Sequence, residues 1–65
     1  MRVKVKGNLP EVMEELEFDQ ATIDQFKELI GQTFEVHNNW FDGEQEYVTI
    51  DLCVELPRQA CEYVA

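Results

Sequence analysis

Basic side chains are scarce in this sequence. Its 65 residues include only 5 Lys and Arg against 14 Asp and Glu, a formal net charge of −9. Three of the five cations, Arg2, Lys4 and Lys6, stand in the first seven residues, so the rest of the chain sets only Lys27 and Arg58 against every acid. That balance works against nucleic-acid phosphates and anionic membrane surfaces as direct partners, and it admits a protein with a basic surface. Acidity also serves plain solubility, the commonest use of surface charge.

Long apolar runs are lacking as well. Nothing approaches the roughly 18 to 20 residues that span a bilayer, and MRVKVKGN alternates charged and β-branched residues where a signal peptide would carry an apolar stretch. A cytoplasmic location is the expectation, and with it free thiols at Cys53 and Cys61. Glycine is sparse: Gly7, Gly31 and Gly43 stand apart at element ends, which excludes a glycine-rich phosphate loop. With one histidine, His37, a Cys-His nucleophile pair would have to join it to Cys53 or Cys61. His37 alternates with Glu35 and Asn39 on a polar face, where an ordinary exposed histidine is expected. A zinc site wants four ligands and usually a close C-x-x-C pair, and CVELPRQAC with His37 falls short. Carboxylates are too plentiful to mark a catalytic pair, which would need a cleft that a chain this small has little volume to form. The expectation is a non-enzymatic protein with no metal and no cofactor.

What is present is enough to fold. Hydrophobic residues make up 45% of the chain, and seven aromatics are spread along it, a composition that disordered acidic tails do not have. One domain over residues 1–65 is expected, with an N-terminal strand over 1–7, a helical arm over 9–30 and β-strands over 32–64. In MRVKVKG, Val3 and Val5 face one way and Arg2, Lys4 and Lys6 the other. The basic side is expected to pair with carboxylates across the sheet. LPEVMEELEF sets Leu9, Val12, Met13 and Leu16 at helical spacing behind Pro10. DQATIDQFKELIG reads as a second short helix. There Thr22 and Gln25 have capping-box spacing, Ile23, Phe26, Leu29 and Ile30 make a stripe, and Gly31 can supply a left-handed stop.

From Gln32 the period becomes two. Phe34, Val36, Asn38 and Trp40 fall on one face, and Asn38-Asn39 is a place where a bulge would break the phase. Asp42-Gly43 signals a hairpin. EYVTIDLCVELP is one bent strand or two strands joined near Asp51 and Leu52, and two fit normal strand lengths better. Pro57 cannot donate to a ladder, so RQA reads as a tight turn before a last strand, CEYV. There Cys61 shares a face with Tyr63 and is expected to point inward as a small hydrophobe, while the side taken by Cys53 depends on the preceding turn.

The expected class is α+β, mainly β. LIGQTFEV, then DGEQEYVTI, then VELPRQACEYV, covering about residues 29–64, resembles the small SH3-like barrels of bacterial and phage proteins of uncharacterised role. The resemblance implies a partly open SH3-like β-barrel with an N-terminal strand and two short helices, acting as an interaction module. It does not extend to proline-rich ligands, because there is no ALYDY-like run and no paired tryptophan after an acidic loop.

The candidate binding surface is the WFDGEQEY hairpin: Trp40, Phe41, Asp42, Glu44, Glu46 and Tyr47. Rigid aromatics rimmed by charge are the makings of an interface hot spot. Two readings stand. Either one of Trp40 and Phe41 points outward with Tyr47 beside it, or a bulge lets both rings enter the small core. The expected partner is a protein with a basic surface, with the chain itself a monomer or weak homodimer. The alternative role is an acidic inhibitor of phage or immunity type that mimics nucleic acid. A thiol or metal protein using Cys53, Cys61 and His37 ranks last.

Overall fold

The computed structural model describes residues 1–51 and 54–64. Strand β1 (Arg2–Val5) leads into helix α1 (Leu9–Glu15) and helix α2 (Gln20–Phe26), which runs on as a single 3-10 turn over Lys27–Leu29. Strands β2 (Thr33–Asp42), β3 (Gln45–Ile50) and β4 (Glu55–Pro57) follow, then a second 3-10 turn over Arg58–Ala60 and strand β5 (Cys61–Val64). All strand pairs are antiparallel, in the order β4-β3-β2-β1-β5. This is an α+β domain, mainly β, as its alternating and helical periods foretell. The sheet is not closed.

Its two edges are nevertheless tethered. β4 and β5 are the outermost strands, yet only Arg58–Ala60 separates them. A flat five-strand sheet would hold them about 19 Å apart at 4.8 Å per step, whereas three residues of 3-10 helix advance about 6 Å. The sheet therefore curls. Strand β2 carries the bend: Thr33–Glu35 pair with β1, Val36–Asp42 pair with β3, and the register slips between Val36 and Asn38. The bulge lies at His37, one residue before the expected Asn38-Asn39 site, because it marks where the strand changes partner.

The curl encloses the core. Val3, Val5, Leu9, Met13, Ile23, Phe34, Val48, Ile50, Leu56, Ala60 and Cys61 are buried. On β1 the alternation holds, with Val3 and Val5 inside and Arg2 and Lys4 outside. Arg2 stands opposite Glu35, and Lys4 stands opposite Glu62, so the basic stripe meets carboxylates in the register, a gain of about 0.2–1 kcal/mol per cross-strand pair. Neither helix is long enough to be stable alone in water. Leu9 and Met13 of α1 and Ile23 of α2 are buried, so packing on the sheet holds both. Ile30 departs from the expected stripe and lies at the surface, because the 3-10 turn has ended the helical period before it.

Helix ends differ from expectation in an informative way. Asp19, in extended conformation, is the residue that precedes α2, and its carboxylate accepts a hydrogen bond from the Thr22 hydroxyl. Thr22 is thus inside the helix and does not cap it. Helix α1 ends with the Phe18 N–H donating to the Met13 carbonyl (3.1 Å) and the Glu17 N–H to the Glu14 carbonyl (3.0 Å). This is a Schellman closure with Glu17 in the left-handed position at φ 67°, a place that usually belongs to glycine. Gly31 does take its expected left-handed turn at φ 85°, and its N–H donates to the Val5 carbonyl (2.9 Å).

Candidate interaction surface

The β2–β3 hairpin turns on Gly43 and Glu44, with Asp42 paired to Gln45. Gly43 has φ 65° and Glu44 is not left-handed, the type II′ pattern that glycine in the first central position allows. With the turn fixed, the register fixes the faces. Trp40 pairs with Tyr47 and Tyr47 with Pro57, forming one cross-strand row over three strands. Phe41 pairs with Glu46 on the opposite face.

The six hairpin residues therefore do not form one flat patch. Trp40 and Tyr47 stack with ring centroids 4.7 Å apart and planes inclined by 21°, and both rings are half-buried. Phe41 is 63% exposed. The bulge does not bring both rings into the core. Of the adjacent pair one packs and one projects, and Tyr47 stacks on the packed ring. Asp42 and Glu44 are exposed at the tip, and the Glu46 carboxylate accepts a hydrogen bond from the Asn39 amide nitrogen (2.9 Å). Gln45 and Gln59 exchange side-chain amide hydrogen bonds, so the hairpin is braced against the 3-10 turn that joins the sheet edges.

Beside the hairpin lies an apolar groove of about 420 Å³ lined by Phe18, Phe26, Trp40, Val54 and Glu55. The Schellman closure of α1 sets Phe18 in place, and the period of α2 sets Phe26. Glu55 stands opposite Thr49 in the register, two residues along β3 from Tyr47 and so on the same face as Trp40. No local signal in the sequence announces this groove, since its walls come from four separate segments.

Cys61 is buried and its thiol donates to the Pro57 carbonyl at 3.5 Å. Burial pushes that thiol up to about 11, against a weaker downward pull from Arg58 and Lys6, so it is neither a nucleophile nor a ready metal ligand near neutral pH. Tyr63 does not share its burial. At the end of the sheet it is 38% exposed, with the Arg58 guanidinium 4.4 Å from its ring centroid, while Arg58 also donates to the Cys61 carbonyl (2.8 Å). Cys53 and the expected turn residue Leu52 lie outside the described residues; the Ile50 N–H donates to the Val54 carbonyl (2.9 Å) across them. Among the described residues no three His, Cys, Asp or Glu side chains converge as a metal set, and no helix is long and apolar enough to cross a membrane.

The chain matches no family model, no curated protein and no solved structure.

Proposed function

We propose that this chain is a non-enzymatic, acidic protein-interaction domain of SH3-like, partly open barrel form. It binds a protein with a basic surface through the β2–β3 hairpin. The observation that carries this reading is Phe41: a ring 63% exposed on a braced hairpin, on the face opposite the Trp40–Tyr47 stack, with Glu46 across the register from it and Asp42 and Glu44 at the tip. A rigid aromatic held outward and rimmed by charge is how interface hot spots are built. The SH3-like form rests on the sequence resemblance over about residues 29–64. Nucleic-acid mimicry needs an ordered array of carboxylates, and the hairpin acids instead surround a hydrophobic ring.

The test is affinity capture with wild-type and Phe41→Ala protein, read by mass spectrometry. The reading predicts a protein retained by the wild type, released by salt, and lost with Phe41→Ala although the variant stays folded. Identical capture by both proteins would overturn it.

A further inference from the structure

We propose that the groove beside the hairpin receives one arginine side chain of the partner, its methylene stem against Phe18, Phe26 and Val54 and its guanidinium between Trp40 and Glu55. This deepens the interaction-domain reading and rests on it for the source of the side chain.

The lining selects the occupant. Of the five described residues that line it four are apolar, and the volume of about 420 Å³ lies in the range of small-ligand sites, roughly 300–1,000 Å³. The fifth is Glu55, and no hydrogen bond or ion pair reaches its carboxylate from any described residue. A purely apolar occupant would strip water from that carboxylate and leave it unpaired, an unfavourable exchange. An acidic occupant would meet repulsion from Glu55 and from a chain of net charge −9. A long basic side chain satisfies both kinds of wall, because its stem covers apolar surface while its head meets the charge.

Arginine fits better than lysine. Its planar guanidinium can take a carboxylate in bidentate fashion and stack on an indole at once. Tyr47 stacks on only one face of Trp40, so the indole still has a face to offer, and tryptophan is the strongest aromatic partner for a cation. The chain's own nearby cations are engaged elsewhere: Lys27 lies 3.2 Å from Asp24, and Arg58 sits over Tyr63.

The probe is a short capped peptide, acetyl-Gly-Ser-Arg-Ser-Gly-amide, titrated into ¹⁵N-labelled protein to about 10 mM, a range that resolves millimolar affinity. Trp40 is the sole tryptophan, so its indole gives one resonance. The proposal predicts saturable shifts at that resonance and at the Phe18, Val54 and Glu55 amides. It predicts at least about tenfold weaker binding when citrulline, the neutral isostere, replaces arginine. Glu55→Gln, at an exposed position, should weaken the arginine peptide by about tenfold and leave the citrulline peptide unchanged. Equal binding of the two peptides, stronger binding of a leucine analogue, no shift at about 10 mM, or shifts confined to other acidic residues would each overturn it. Phe41 is not part of the groove. Capture that depends on Phe41 but not on Glu55 would therefore reject the arginine site and leave the interaction domain standing, whereas capture indifferent to Phe41 rejects the interaction reading first.

Discussion

Replacing Trp40 and Phe41 by alanine one at a time should give two very different proteins, although the residues are neighbours. Phe41 is 63% exposed. Fully burying such a side chain stabilises by about 1.5–3 kcal/mol, so a ring about one-third buried contributes about 1 kcal/mol or less. Trp40 is half-buried and stacked on Tyr47 at 4.7 Å. Losing some 100–150 Å² of ring contact at about 25 cal/mol per Å² removes about 3 kcal/mol, and losing the stack removes about 1 kcal/mol more. A chain of 65 residues has a total stability of about 3–10 kcal/mol. Trp40→Ala should therefore be barely folded, with a melting temperature lowered by 15 °C or more, about 4–8 °C per kcal/mol, while Phe41→Ala should fall by less than about 8 °C. Far-UV circular dichroism melts serve for both variants, since Trp40→Ala has no tryptophan emission to follow. If the two melting temperatures fall together, or if Phe41→Ala is the less stable variant, the assignment of one packed and one projecting ring is wrong.

Two further predictions concern the core and the helix end. Cys61 has its thiol raised from 9.0 to about 11 by burial. Below pH 9 both states keep the proton and stability is unaffected. Between pH 9 and about 11 only the unfolded state loses it, so stability should fall by on the order of 3 kcal/mol. Denaturant titrations from pH 8 to 11 should show a smaller alkaline loss for Cys61→Ala than for the wild type; equal losses would refute the assignment. Glu17 holds a left-handed conformation at φ 67°, which costs a side-chain-bearing residue about 1–2 kcal/mol. Allowing for the greater flexibility of unfolded glycine, Glu17→Gly should raise stability by about 0.5–1 kcal/mol, and a lowered melting temperature would contradict the Schellman closure.

The local elements were legible because each rests on a short-range cause. Val3 and Val5 alternate with cations, Leu9 and Met13 repeat at helical spacing, and Pro57 forces a turn before CEYV; strand, helix and 3-10 turn stand where those signals put them. Cys61 faces inward because strand alternation places it there. The misreadings all involve something the chain does at a distance. The bulge falls at His37 because β2 changes partner from β1 to β3 there, and a single sequence does not reveal where a strand changes partner. Thr22 has the spacing of a cap, yet Asp19 is the residue that precedes the helix, and the Thr22 hydroxyl donates to its carboxylate from inside the first turn. Helix α1 closes on Glu17 without the glycine that would have advertised the motif. Tyr63 has the phase for burial but is exposed on the edge strand, with the Arg58 guanidinium over its ring. At the hairpin the candidate residues are neighbours, but their division between two faces follows from the register that the Gly43–Glu44 turn sets. The groove joins Phe18, Phe26, Trp40 and the start of β4, residues that read one by one as ordinary packing positions.

Phe41 carries the proposed binding role. The decisive measurement is isothermal calorimetry of the captured partner, purified, against wild-type and Phe41→Ala protein at physiological salt. A projecting hot-spot ring predicts at least about a 30-fold loss of affinity, about 2 kcal/mol, in a variant that remains fully folded. An affinity within about twofold of wild type would show that the hairpin is not the binding surface.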